Sequence, residues 1–146
     1  NVFGPRQDPA SQYSAVIPLF VTAVIEGRRP VIYGDGEQTR DFTYVENNVR
    51  ANILAATTDR PVAGRVFNVA CGASFSLLEL LKVINRVLGR SVQPVFEPAR
   101  PGDVKHSLAD IGEARKAFGY DVRVDFEEGL RRTIAWYQAH AQAWSR

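Results

Sequence analysis

Val66-Phe67-Asn68-Val69-Ala70-Cys71-Gly72-Ala73-Ser74-Phe75-Ser76-Leu77-Leu78-Glu79-Leu80-Leu81 is the stretch that decides the fold class. Its first five residues are almost continuously apolar, the pattern of a strand buried on both faces as parallel strands are. A short loop over 71–75 follows. Ser76 and Glu79 then stand three apart ahead of an apolar run. That is the spacing of a capping box, in which each side chain takes one free backbone N–H at the start of a helix. Leu77, Leu80, Leu81, Ile84, Val87 and Leu88 recur at helical spacing, and Gly89 supplies the stop. A strand, a loop and a helix in this order predict an α/β chain.

The alternation continues in both directions. Upstream, the opening 1–14 is turn-rich, with Gly4-Pro5 and Asp8-Pro9, and reads as the loop after a strand. Ser14 caps a helix predicted through Glu26 and closed by Gly27; Pro18 fits its first turn, and its apolar residues lie nearly all round, so it is read as buried. A short strand over 30–33, a hairpin turn at Gly34-Asp35-Gly36 and a second strand over 39–45 come next. A helix over 46–58 carries Val49, Ile53 and the alanines on one side. Downstream, a strand over 92–97 leads into Pro98-Ala99-Arg100-Pro101-Gly102-Asp103, which cannot be regular structure. Asp110 and Glu113 repeat the capping pattern for a short helix that stops at Gly119. A last helix over 125–144 has Phe126, Leu130, Ile134, Tyr137 and Trp144 as its core stripe.

Composition narrows the function classes. The 146 residues are 45% hydrophobic and 23% charged, ordinary for a globular chain. The net charge of +2, from 18 basic and 16 acidic residues, is too mild to argue for nucleic acid or a membrane surface. No apolar run approaches the roughly 18 residues of a membrane span. One cysteine, Cys71, excludes an internal disulfide and, with no export signal, favours a reducing, cytoplasmic setting. Methionine is absent and the chain opens Asn1-Val2-Phe3-Gly4-Pro5, so either the start has been processed away or the chain is a piece of a longer protein.

Catalytic patterns are missing. Cys71, His106 and His140 have no metal-ligand spacing, and no Gly-x-Ser-x-Gly elbow or Walker loop is present. Gly34-Asp35-Gly36 lacks a third glycine at Thr39, and no dinucleotide fingerprint exists. Cys71 reads as a buried structural thiol. What remains is Arg40 just past the turn, and Arg100 with Asp103 in the proline-rich loop. A guanidinium fork matches two phosphate oxygens, and a carboxylate can accept from a ribose diol. An arginine beside a turn is equally a solvated surface charge, and nothing in the pattern alone brings Arg40 and Arg100 together.

Four motifs in order carry a resemblance: Asn1-Val-Phe-Gly-Pro-Arg-Gln7, Ile32-Tyr-Gly-Asp-Gly-Glu-Gln-Thr-Arg-Asp-Phe-Thr-Tyr-Val45, Phe67-Asn-Val-Ala70 and Arg100-Pro-Gly-Asp-Val-Lys-His-Ser107. Together they resemble the C-terminal half of extended short-chain dehydrogenase/reductases, the NAD-dependent nucleotide-sugar epimerases and dehydratases. They are most like the UDP-glucose/UDP-N-acetylglucosamine 4-epimerase branch. The resemblance implies the substrate-binding part of a Rossmann-type epimerase, with small mixed sheets and helices plus a terminal strand–helix unit of the Rossmann sheet. Residues 1–146 would form one nucleotide-sugar-binding domain. The N-terminal half, with its glycine-rich NAD loop and Tyr-x-x-x-Lys catalytic pair, is not in this sequence: Tyr13, Tyr33, Tyr44, Tyr120 and Tyr137 are followed four residues on by Ile17, Glu37, Asn48, Val124 and Ala141. No catalytic, cofactor-binding or metal-binding residue is therefore expected here.

By the same resemblance, Asn1 matches an asparagine that hydrogen-bonds the sugar diphosphate, and Val16 an apolar position whose backbone approaches the nucleotide. Tyr33 matches a position lining the uracil pocket, where its ring can stack on the base. Arg40 and Arg100 match two arginines that clamp the diphosphate, and Asp103 the acid that holds the ribose hydroxyls. Ser107 stands where many plain-hexose 4-epimerases carry a tyrosine, which implies room for a UDP-N-acetylhexosamine. The implied parent activity moves a hydride from the sugar C4 to NAD and back to the other face of the 4-keto sugar. Its partners would be a UDP-sugar, the missing N-terminal half and, for the full-length enzyme, a second copy in a homodimer; NAD would belong to the full-length enzyme and not to this chain alone. The other readings are a nucleotide-sugar 4,6-dehydratase or a non-catalytic nucleotide-sugar-binding or assembly domain.

Overall fold

The computed structural model of the chain describes residues 1–9 and 16–140. In chain order the elements are β1 (Val2–Phe3), α1 (Val16–Ile25), β2 (Val31–Tyr33), β3 (Thr39–Arg40), β4 (Thr43–Tyr44), α2 (Val45–Thr57), β5 (Phe75–Ser76), α3 (Leu77–Leu88), β6 (Val95–Glu97), α4 (Gly112–Phe118) and α5 (Phe126–Ala139). The strands form three two-stranded sheets. β1 with β4 and β2 with β6 are parallel, and β3 with β5 is antiparallel. The class is α/β with small mixed sheets, as expected. Ser14 and Trp144, the expected cap of the first helix and the last core residue of the final one, lie outside the described residues.

The helix signals act where the sequence places them. Ser76 caps α3, its side chain accepting from Glu79 N at 3.1 Å while the Glu79 carboxylate accepts from Ser76 N at 2.7 Å. Gly89 closes α3 and Gly119 closes α4, both left-handed, at φ 61° and 71°. Asp125 caps α5 by accepting from Glu128 N at 2.8 Å. Leu80, Leu81 and Ile84 of α3 meet Phe20, Val21 and Val24 of α1 and Leu130, Ile134 and Tyr137 of α5 in the main core. Phe42, Phe75 and Phe126 stack in one column through it, with centroid spacings of 5.5 and 4.1 Å. A second, smaller core gathers Ala51, Ala70, Ile111, Ala114, Phe118 and Tyr120.

Five expectations are corrected. Gly34 and Gly36 do turn the chain, at φ 90° and 82°, but the flanking strands make no hairpin. β2 is already paired with β6, β3 turns to β5, and the Gly36 carbonyl accepts from Leu78 N at 3.2 Å, drawing the turn against the start of α3. The strand expected over 39–45 is split into β3 and β4 because Asp41 and Phe42, both buried, leave the ladder for the interior. Residues 66–70 form no strand: no partner lies beside them among the described residues, and Val66 is 93% exposed while Phe67, Val69 and Ala70 lean on the smaller core. In α2 the expected apolar side is split: Val49 and Ile53 face outward, 53% and 58% exposed, whereas Ala51, one of its alanines, faces inward with Asn47. The Asn47 amide explains the choice. Its Nδ2 donates to Val124 O at 2.7 Å and its Oδ1 accepts from Arg123 N and Val124 N at 3.0 and 3.1 Å, so a fully buried polar side chain fixes the helix rotation. In α4, Asp110 sits one residue before the cap and accepts from Gly112 N at 2.8 Å rather than capping the helix.

One buried carboxylate ties the loops to this frame. Asp41 Oδ1 accepts from Cys71 N at 2.9 Å, and Oδ2 from Gly72 N at 2.9 Å and Ala109 N at 3.3 Å. Tyr120 adds a fourth tie, its hydroxyl donating to Ala70 O at 2.7 Å. Tyr137 donates likewise to Gln7 O.

Two outcomes follow. At Gly129 a Cβ would lie 2.9 Å from Phe3 Cζ, Tyr44 Cβ and Tyr44 Cδ2, where α5 crosses β1 and β4. Helix propensity favours Gly129→Ala by roughly 1 kcal/mol, whereas overpacking costs about 1–3 kcal/mol. The variant is expected to lower the urea midpoint; a raised midpoint would show that the crossing yields. Burial pushes the Tyr120 and Tyr137 hydroxyls up to about 12. In the unfolded chain both lose their protons near 10. The folded state therefore binds more protons between these values, and stability is whole below pH 10 and falls as pH rises from 10 towards 12. Tyr120→Phe should flatten that fall in alkaline unfolding curves, and an unchanged slope counts against it.

Candidate functional site

A cleft of about 420 Å³ opens where β1, α1, β2, β3 and the loop after β6 meet. Parallel pairing sets Tyr33 opposite Glu97, and Gly34 N donates to Glu97 O at 2.8 Å, so the segments leaving β2 and β6 emerge side by side. These two segments carry the charged walls of the cleft. Open α/β sheets bind ligands at the carboxyl ends of their strands for this reason: that is where the connecting loops converge.

Six of the seven residues singled out in the sequence line this cleft: Asn1, Val16, Tyr33, Arg40, Arg100 and Asp103. Asn1 is held at the start of the β1–β4 ladder, its carbonyl accepting from Thr43 N at 3.1 Å. Val16 opens α1 on the opposite wall. Arg40 is half-exposed, and its Nη1 donates to Thr39 O at 2.8 Å. Arg100 lays its guanidinium over the Tyr33 ring, 3.7 Å from the centroid. Asp103 N donates to Arg100 O at 3.3 Å across a turn made by Gly102 at φ 84°. Ser107 is not among the lining residues. It sits further along, where Ser107 N donates to Thr39 O at 3.1 Å beside the bridge between Thr39 and His106.

The charge balance is one-sided. Arg28, Arg29, Arg40 and Arg100 face the cleft against Asp103. Arg28 pairs with Glu26, and Arg29 donates to Gln93 O and Pro94 O at 3.2 and 2.7 Å, clipping the approach to β6. Among the described residues no ion pair engages Arg40 or Arg100. Two guanidinium groups without carboxylates, on one cleft, suit an anion with several oxygens.

Gln38 was missed in the sequence and also lines the cleft. Its Nε2 donates to Tyr33 O at 2.6 Å, while its Oε1 is buried with no partner. The signal was its place two residues before Arg40, which in extended chain puts both on one side. Cys71 lies off the cleft. Burial first, and the Asp41 charge second, push its thiol above the ordinary range, so it is no activated nucleophile.

At the start of α3 the described residues do not fit a dinucleotide pyrophosphate. The loop 71–76, which leads into the capping box of α3, has its Cys71 and Gly72 amides bonded to Asp41, and its Ser76 amide to Glu79. The N–H groups that would cradle a pyrophosphate are already used. No described helix is long and apolar enough to cross a membrane.

Comparison with known proteins agrees with this geometry. Residues 1–70 match the NAD dependent epimerase/dehydratase family. A UDP-N-acetylglucosamine 4-epimerase from Methanobrevibacter ruminantium M1, solved with UDP-N-acetylmuramic acid, superposes with TM-score 0.88 at 47% identity, over 96% of this chain and 44% of that one. The UDP-glucose 4-epimerase of Thermotoga maritima, solved with UDP-glucose, gives TM-score 0.90 at 35% identity, over 97% and 44%. A dTDP-glucose 4,6-dehydratase of an Actinoplanes species is 34% identical over 146 residues, 99% of this chain and 44% of the dehydratase. The chain thus spans less than half the length of the curated relatives it matches. By the family match over residues 1–70, and by relatives that follow nearly its whole length, the chain belongs to the NAD dependent epimerase/dehydratase family.

Proposed function

We propose that residues 1–146 are the nucleotide-sugar-binding domain of an NAD-dependent UDP-sugar 4-epimerase, and that this cleft grips the uridine diphosphate while the sugar is turned. The observation that carries the reading is the pair Arg40 and Arg100, facing one cleft and in no ion pair among the described residues. In this reading both arginines clamp the diphosphate with Asn1, Asp103 accepts from the ribose hydroxyls, and Val16 forms an apolar wall. Two of the solved relatives are 4-epimerases of UDP-sugars, which favours uridine and epimerisation over the dehydratase alternative. The relative at 47% identity supports an N-acetylated sugar. Ser107 does not line the cleft, so it contributes no contact to that argument.

The chemistry at C4 needs groups that this chain does not supply. NAD, the acid–base pair and the rest of the nucleotide-binding sheet are assigned to the N-terminal half of a longer polypeptide. Its docking surface is the unpaired segment 66–70 with the outward face of α2, where Val66, Val49 and Ile53 are exposed. The full-length enzyme is assigned to the cytoplasm as a homodimer.

Calorimetric titration of the chain with UDP tests the clamp. Arg100→Ala and Arg40→Ala should each weaken binding by about 1.5–3 kcal/mol, the loss of a charge-assisted contact. Unchanged dissociation constants would retire the assignment. With added NAD and UDP-glucose the isolated chain should form no UDP-galactose, and measurable turnover would show that the machinery assigned elsewhere is not needed.

A further inference from the structure

We infer that Tyr33 is a positioning residue for Arg100, a rigid platform that holds its guanidinium at the cleft before any diphosphate arrives, and that this ring face is not a stacking surface for the base. The inference rests on the nucleotide-sugar reading above and assigns Tyr33 a different role within it.

The platform is fixed on three sides. Tyr33 ends β2, in register with Glu97 of β6; its carbonyl accepts from Gln38 Nε2 at 2.6 Å, and the next residue, Gly34, donates to Glu97 O at 2.8 Å. Ile32, the residue before, is fully buried. Arg100, by contrast, stands in an exposed loop. That loop is tied down behind it, where Thr39 N donates to Lys105 O at 2.8 Å and Ser107 N to Thr39 O at 3.1 Å. Thr39 Oγ1 also meets His106 Nδ1 at 3.1 Å. The loop is therefore anchored at its near end on β2, through Glu97, and at its far end on Thr39, next to Arg40.

At 3.7 Å from the centroid the guanidinium lies at stacking distance on the ring. Stacking uses the face of the guanidinium and leaves the N–H donors on its edge free to form a fork with phosphate oxygens. Holding a long side chain in one place beforehand removes part of the ordering cost of binding. The same contact covers the Tyr33 face, so a base cannot stack there while Arg100 is in position.

The test uses the full chain, with UDP, uridine and inorganic pyrophosphate as probes. In the ligand-free chain the Arg100 side-chain protons should show an upfield ring-current shift by NMR, kept in Tyr33→Phe and lost in Tyr33→Leu. Tyr33→Leu should weaken UDP and pyrophosphate by about three- to tenfold, the scale of a lost cation–π contact, and leave uridine unchanged. In an Arg100→Ala background the same substitution should change nothing further. Weakened uridine binding, an effect that persists without Arg100, or an absent ring-current shift would each overturn the inference. A chain that binds neither UDP nor pyrophosphate would overturn the nucleotide reading itself and the positioning role with it, with the ring-current shift showing whether the stack exists.

Discussion

The arrangement of the cleft depends on the Asp41 carboxylate. A buried carboxylate is tolerated only when its oxygens are well supplied with donors. Here three backbone N–H groups, from Cys71, Gly72 and Ala109, provide them. Asp41 points inward where β3 gives way to β4, so its neighbour Arg40 is turned to the opposite side, towards the cleft. A single residue thus sets the position of a ligand-facing guanidinium and secures two loops distant in sequence. It also uses the amides that could otherwise have held a second anion.

Around that anchor, two other buried side chains join segments that make no ladder with each other. Asn47 attaches α2 to 123–124, and Tyr120 attaches the end of α4 to Ala70. Two-stranded sheets of two or three residues supply few ladder bonds, so side chain to backbone bonds supply the register that longer strands would have given.

Local signals were legible in the sequence, and partner choice was not. The capping box at Ser76 and Glu79, the glycine stops at Gly89 and Gly119, and the Asp125 cap are decided within one helical turn, so reading a few residues suffices. The turn at Gly34-Asp35-Gly36 was readable as a turn, yet its strands pair with residues 35 to 64 positions away, which no local pattern encodes. The apolar residues 66–70 looked like a buried strand, but a strand requires another strand beside it, and none pairs with this segment among the described residues. Val49 and Ile53 gave the better apolar stripe on α2, and the hydrogen bonds of Asn47 prevailed over it. For the site, the motif residues Asn1, Val16, Tyr33, Arg40, Arg100 and Asp103 converge, and Ser107 does not. Gln38 was overlooked because an amide beside two stronger charges carries little pattern of its own.

The open segment 66–70 has a colloidal consequence. Apart from the Ala70 carbonyl, which Tyr120 holds, its backbone joins no ladder among the described residues, and such a length of chain is a template on which another copy can add a strand. The nearest guard is Arg65, whose guanidinium lies 4.8 Å above the Phe67 ring while its Nη2 pairs with Glu113 at 3.2 Å. That guard is a surface charge and is screened as salt rises. Purified alone, the chain should stay dispersed most readily in dilute buffer, and its shelf life should depend on ionic strength more than on the stability of its core.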